Sequence, residues 1–147
     1  MVNFWIFASN SISNSVRRGI LGIWYLAKQT VERNDIEVEK GDRVLLYQPA
    51  EVREEPQREG YNYIGSFTVD SDPFIESRGE DYYAIKIRDF KLWEVFLSKN
   101  EVEGLSSSIP TGSEFGRLIH TQMIVPIDEE DYKIIVEMYG EKVEQKY

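Results

Sequence analysis

Phe4-Trp5-Ile6-Phe7-Ala8 is an unbroken apolar run that stops at Ser9-Asn10-Ser11, and this junction constrains the fold more than any other stretch of the chain. A strand wetted on one face alternates apolar with polar residues. A run that is apolar at every position belongs between two covered faces, in the centre of a small barrel or sheet. The side chains of Ser9, Asn10 and Ser11 hydrogen-bond local backbone and favour caps and turns, so a helix is predicted from Ser11 to Arg18, with Gly19 closing it. Ile12 and Val16, four apart, face inward, and Arg17 and Arg18 occupy the last turn, where a helix favours positive charge. Past Gly19, Ile20, Leu21 and Ile23 lead to Trp24, which either fills the core or walls a pocket.

The segment Tyr25 to Ile36 is ambiguous, Leu26 and Ala27 suggesting a helical turn that Asn34-Asp35 breaks. Lys40-Gly41-Asp42 signals a tight turn into a strand at Arg43 to Tyr47. Residues 48 to 60 hold two prolines and many charges and read as a long exposed hairpin loop. Tyr61 to Val69 reads as an antiparallel strand in which Gly65 marks a bulge or a close backbone approach, and Asp72-Pro73 ends it. Ser77 to Asp81 is a charged turn before a strand at Tyr82 to Ile87 with Tyr83, Ile85 and Ile87 inward. Leu92, Val95 and Phe96 follow as strand or short helix, then a Ser- and Gly-rich loop from 98 to 113. Met123, Ile124 and Val125 read as structure. A final helix is predicted after Asp128 as N-cap, with Glu129, Glu130 and Asp131 at its positive end, Ile134, Ile135 and Met138 as its apolar stripe, and Gly140 as its end. Small helices around several antiparallel strands make an α+β pattern, a compact and mostly antiparallel barrel with a closing helix.

The chain has 147 residues and no internal repeat, one domain's worth spanning 1–147. With no cysteine it forms no disulfide, thiolate metal site or cysteine nucleophile, and the expected location is the reducing cytoplasm. Nothing resembles a signal peptide, since the run at Phe4 to Ala8 is too short and no basic residue precedes it; no segment is long and apolar enough to cross a bilayer, so no membrane partner is expected. A formal net charge of −9 argues against general nucleic-acid binding, which draws most of its affinity from Lys and Arg on phosphates. The distribution softens that objection. Residues 1 to 31 carry Arg17, Arg18 and Lys28 with no acid, a net +3 that leaves −12 for the remainder, and residues 104 to 127 carry only Glu114 and Arg117 as formal charges.

The strand ending in Ser-Asn, the apolar-Trp element at Trp24, the Lys40-Gly41-Asp42 turn into a strand ending in Tyr47, the segment Tyr63 to Phe74, and Pro126 to Tyr132 at the closing helix together resemble an EVE domain of the PUA-like superfamily. Phe4 to Trp24 also resembles the opening of the related YTH domains, where a strand, a Ser-bearing turn and a helix lead to an Ile-Trp pair, here Ile23-Trp24. In YTH domains that Trp is one wall of an aromatic cage for methylated adenine, and EVE domains are implicated in recognising methylated cytosine and related bases. The resemblance implies a PUA-like barrel and a noncatalytic module with no cofactor. Its partner would be a modified nucleobase in DNA or RNA, single-stranded or flipped out of a duplex.

Such a site needs flat walls for stacking and fixed donors and acceptors for the base edge. Trp24, beside Ile23, is the first wall, and Phe74, Tyr82 or Phe115 are candidates for the second; Ser9, Asn10 and Gln48 are candidates for the edge. Arg17, Arg18, Lys28 and Arg117 are assigned to phosphate. Each has a structural alternative: Trp24 as core, Asn10 as a cap, the arginines as partners of the helix dipole. Two other classes stay open. His120 is the only histidine, which rules out a His cluster for metal; paired with Glu114 it could serve acid–base chemistry in a hydrolase or nuclease like those of the related ASCH group, and that reading requires His120 to face the cleft of Trp24. A protein-interaction module would instead use the acidic hairpin around Glu51 to Glu59, with Trp24 unwalled.

Overall fold

The computed structural model describes residues 2–9, 11–49, 61–76, 81–103, 105, 109 and 112–146. Its elements are β1 (Phe4–Ala8), α1 (Ile12–Leu21), β2 (Ile23–Ala27), α2 (Lys28–Arg33), β3 (Arg43–Gln48), β4 (Asn62–Val69), β5 (Phe74–Ile75), β6 (Tyr82–Ser98), α3 (Lys99–Val102), α4 (Gly112–Gln122), β7 (Ile124–Ile127) and α5 (Glu129–Lys146). The strands lie in the order β2-β6-β4-β3-β1-β7, with β5 added to β6. β1 and β3 run parallel and every other pairing is antiparallel. The result is a curled half-barrel flanked by short helices and a C-terminal helix, the expected α+β architecture.

β1 lies between β3 and β7, and both of its faces are covered, as an all-apolar strand requires. Trp5 and Phe7 point to one face, where they meet Ile12, Trp24, Val44, Leu46 and Phe67. Ile6 and Ala8 point to the other, with Leu45, Tyr47, Tyr63, Trp93, Phe115 and Ile135. The sheet therefore separates two apolar cores: α1 covers the first, α4 and α5 the second. The tight turn before β3 is held by Asp42, which is buried and accepts from the Trp5 indole N–H at 3.0 Å and from the backbone N–H groups of Asn3 and Glu39, each at 2.9 Å. Gly41 in that turn has φ of 96°, a conformation that favours glycine.

Helix α1 begins as predicted: the Ser11 hydroxyl accepts from the Asn14 N–H at 3.0 Å. It does not close on Gly19. It continues to Leu21 and ends at Gly22, whose φ of 70° makes the left-handed cap. Gly19 serves a different need, because the Phe90 ring packs where its Cβ would stand. Gly65 behaves as expected: a Cβ there would run into the Lys91 carbonyl, and the register of β4 shifts on either side of it. β2 takes Tyr25 to Ala27 as strand, and α2 follows until Asn34 stops it. Tyr82 to Ile87 and Leu92 to Phe96 are parts of one strand, β6, which changes partners along its length.

Two expectations fail in the C-terminal third, and one helix stands where no element was predicted. The loop predicted from 98 to 113 contains α3, started by a capping box between Ser98 and Glu101. α4 occupies 112–122, where two glycines hid a helical repeat of Phe115 and Ile119, four apart and both buried. α5 passes through Gly140 to Lys146, because a glycine in a helix interior costs only about 1 kcal/mol and Tyr139 and Val143 pack on either side of it. The charged tip around Glu51 to Glu59, the turn at Ser77 to Glu80 and Asn10 lie outside the described residues.

Candidate nucleic-acid interface

The end of β1 is tied to α1 by serines. The Ser9 hydroxyl donates to the Ser11 carbonyl at 3.0 Å and lies 2.6 Å from the Ser15 hydroxyl. Since the Ser9 proton is directed at Ser11, Ser15 is the donor of the short pair. The Ser9 N–H donates to the Tyr47 carbonyl at 2.8 Å. Ser9 and Ser15 are both buried. The Ser9 hydroxyl thus joins strand to helix inside the protein, which corrects its assignment to a base edge. Gln48 follows Val44 and Leu46 in the alternation of β3, so it stands on the same sheet face as Trp24; it is also buried.

Trp24 sits in β2 opposite Ile85 and is 4% exposed. Its ring centroid lies 5.2 Å from that of Phe67, tilted by 39°. The Arg18 guanidinium lies over the ring, with Cζ 4.8 Å from its centroid, and Cζ is also 5.5 Å from the centre of Tyr25. Adjacent residues of a strand point to opposite faces, so a group that reaches both Trp24 and Tyr25 must sit at the strand's edge. β2 is the terminal strand on its side of the sheet, and α1 delivers Arg18 there from its last turn. Burial lowers the pKa of Arg18 from its ordinary value, an effect opposed by the nearby Tyr25 and Tyr82.

The register places the other aromatic candidates elsewhere. Phe74 and Tyr25 both pair with Ala84 across β6, and Tyr82 is two residues from Ala84, so Phe74, Tyr25 and Tyr82 share the face opposite to Trp24. They do not form a second wall facing it. Phe115 is fully buried in the second core, edge-on to Tyr47 at 5.1 Å, and is corrected from pocket wall to structural residue. The ring that shares a cation with Trp24 is its own neighbour Tyr25, whose hydroxyl donates to Glu76 at 2.9 Å. The signal for it was its position beside Trp24 at the end of a basic helix. Ile23 is half-buried beside them.

Of the residues assigned to phosphate, Arg17 is exposed on α1. Lys28 begins α2, with Nζ 5.8 Å from the centre of Tyr83. Arg17 and Arg18 are thus neighbours near the end of α1 while Lys28 follows the other end of β2, and Arg18 differs in being folded onto the rings. Arg117 is exposed on α4, across the sheet, and does not join them. His120 also lies on α4, whose Phe115 and Ile119 pack into the second core, so that helix is on the wrong side of the sheet for the acid–base reading. Among the described residues no group of three His, Asp or Glu side chains is placed to hold a metal, and no helix is long and apolar enough to cross a membrane.

A groove of about 470 Å³ opens near the start of α5, lined in part by Arg43, Ser66, Thr68, Arg88, Asp89 and Tyr132. Arg88 is paired there with Asp70 at 3.3 Å and Asp89 at 3.0 Å, which offsets its charge. The groove's two aromatic lining residues are already engaged, Phe67 buried against Phe7 and Trp24 and Tyr132 packed on Phe4, so they do not form a pair of free walls for a base, and the corner at Trp24 is the better candidate.

No family model matches the chain, and no curated protein does. Solved structures do. The X-ray structure of Atu2648 from Agrobacterium tumefaciens is similar with a TM-score of 0.61 at 18% identity, over 95% of this chain and 94% of that one. The NMR structure of Rpa0253 from Rhodopseudomonas palustris gives 0.62 at 14% identity, again over 95% and 94%. The YTH domain of MRB1 from Zygosaccharomyces rouxii, solved in complex with N6-methyladenosine RNA, gives 0.61 at 14% identity over 94% of this chain and 86% of that domain. The chain therefore shares the fold of the YTH domains, as its resemblance to EVE and YTH domains implied, and the likeness does not single out the EVE type.

Proposed function

We propose that this protein is a noncatalytic reader of a modified nucleobase, which stacks on Trp24 while Arg17, Arg18 and Lys28 meet the flanking phosphates. The observation that carries the reading is the position of Trp24: an aromatic ring backed by Phe67, at the edge of the sheet, under the most basic helix of an acidic protein. The likeness to a YTH domain that holds N6-methyladenosine RNA supports it, since both chains share the fold. Tyr25 points to the opposite face of β2 and shares only the Arg18 guanidinium with Trp24, so any second contact it makes is with a neighbouring group at the strand edge and not as a facing wall for the same base. Stacking contributes roughly 1–3 kcal/mol per contact, so two contacts alone give dissociation constants from tens of millimolar to tens of micromolar. Edge hydrogen bonds and phosphate contacts supply the rest. Within the superfamily the EVE type is the closer reading of the segments at Tyr63 to Phe74 and Pro126 to Tyr132.

The test is a titration of N6-methyladenosine, 5-methylcytidine, their unmodified parents and short DNA and RNA strands carrying each, followed by tryptophan fluorescence and calorimetry. Saturable binding of one modified base, lost in a folded Trp24→Ala protein, supports the reading and names the ligand. Trp24→Phe separates the site from the core, since it keeps an aromatic ring against Phe67 and should weaken binding without the loss of about 3–5 kcal/mol expected for a large-to-small core truncation. Absence of binding to every member of the panel would sink the proposal.

A further inference from the structure

We propose that Arg18 is a built-in occupant of this site, lying where a base would stack on Trp24, and that a nucleobase enters by exchanging places with it. The inference rests on the base-binding reading above and adds the regulation of that site. A guanidinium is a flat, charged plate that stacks on aromatic faces, and Arg18 places it over Trp24 and within reach of Tyr25. Trp24 is nearly inaccessible with Arg18 in this position, so a base cannot reach it until the side chain moves. Movement is easy in kind. Among the described residues no carboxylate pairs with Arg18, in contrast to Arg88, Lys133 and Lys142, which all hold one. The contact consists of ring faces and a long unbranched stem, and β2 is the edge strand of the sheet.

The exchange has two consequences. It sets a threshold, because any ligand must replace a cation–π contact before it gains its own stacking. It also turns an inhibitory group into a binding group, because Arg18 released from Trp24 stands on the last turn of α1 next to the exposed Arg17, ready for phosphate. A free nucleoside meets only the first consequence. A base within a strand meets both, so the exchange favours a nucleobase carried on a phosphate backbone over the same base alone.

The experiment compares wild type with Arg18→Ala and Arg18→Lys, after circular dichroism and thermal melting show that all three are folded. Acrylamide quenching of tryptophan reads access to Trp24 with no ligand present. It should rise in Arg18→Ala, and the rise should vanish when Trp24→Phe is added, since Trp5 and Trp93 remain buried. N6-methyladenosine and 5-methylcytidine nucleosides, and five-nucleotide strands carrying each, are then titrated against all three proteins. The probe that binds should bind Arg18→Ala about 2- to 30-fold more tightly as a nucleoside, the range a cation–π contact covers. As a strand it should gain less, with a salt slope shallower by about 0.7 for the lost phosphate contact. Arg18→Lys should keep the wild-type slope. Unchanged quenching in Arg18→Ala, or weaker nucleoside binding by it than by wild type, overturns the proposal by making Arg18 a wall or a bystander. Raised quenching with no binding by any protein overturns the base-binding reading, and the exchange with it, while leaving Arg18 as a cover of Trp24; the two failures are thus told apart.

Discussion

The two faces of the sheet use aromatic rings in different ways. On the face under α4 and α5, rings meet rings: Trp93 stacks on Tyr139 at 4.4 Å, Tyr47 meets Tyr63 at 5.0 Å and Phe115 at 5.1 Å, and Phe4 meets Tyr132 at 5.0 Å. On the face under α1, Phe7 and Trp24 both meet Phe67, but the outward contact of Trp24 is the Arg18 side chain. A ring enclosed by rigid rings on packed helices opens only with the protein. Trp24, packed in the first core against Phe67, also has the long Arg18 side chain over its ring, a cover that is flexible where the rings of the second face are rigid. The difference teaches that equal burial can rest on covers of unequal stiffness.

The comparison predicts unequal costs. Phe115→Ala should destabilise the protein by about 3–5 kcal/mol in urea unfolding, because it empties a fully buried position. The remaining folded protein should bind ligand as wild type does, since Phe115 lies across the sheet from Trp24. Altered affinity in folded Phe115→Ala would break the separation of the two faces. Alkaline pH should act on the second face next. Burial first, then Tyr61 and Glu103, raise the pKa of Tyr47; burial first, then Tyr47 and Glu103, raise that of Tyr63. These groups stay protonated in the folded state while their unfolded counterparts ionise near pH 10. Stability is therefore full below pH 10 and falls as pH rises above it, by up to about 1.4 kcal/mol per tyrosine per pH unit. Unfolding curves between pH 9 and 11.5 should show this slope, shallower in Tyr47→Phe and Tyr63→Phe.

The smallest effect is expected at the serine tie under α1. Ser9→Ala should cost about 1–3 kcal/mol, because it strands the buried Ser15 hydroxyl, and Ser15→Ala should cost less, because Ser9 still donates to the Ser11 carbonyl. The double variant should cost less than the sum of the two, and the cycle reads the coupling directly. Additive losses would mean that the two hydroxyls do not act as a pair.

Much of the fold was legible because it rests on local chemistry. An all-apolar strand, a Ser11 cap and a Lys40-Gly41-Asp42 turn each act within a few residues, and each appears where the sequence placed it. The glycines at 19 and 140 misled because a glycine reads as a stop only when nothing stronger holds the helix, and Gly116 likewise lies inside a helix. Gly19 admits Phe90, and the helices through 116 and 140 are held by buried Phe115, Ile119, Ile135 and Tyr139. The site was legible as a neighbourhood, Ser9 to Trp24 with its basic residues, but not as a set of contacts. Phe74, Tyr82 and Phe115 qualified by type and by apparent loop position, yet the pairing of β5 and β2 with β6 turned the first two away from Trp24, and α4 took the third across the sheet.

The sequence by itself determined that Phe4 to Ala8 is a strand covered on both faces, though it lies next to the edge strand β7 and not at the centre, and that a basic helix follows it, because capping, turns and apolar patterning are properties of neighbouring residues. Only the tertiary structure decided which aromatic rings share a face, that the Ser9 hydroxyl is used within the fold, and that Arg18 lies over Trp24. Those depend on strand register across the sheet and on which edge a helix reaches, and a one-residue change of register would turn every side chain of a strand to the other face.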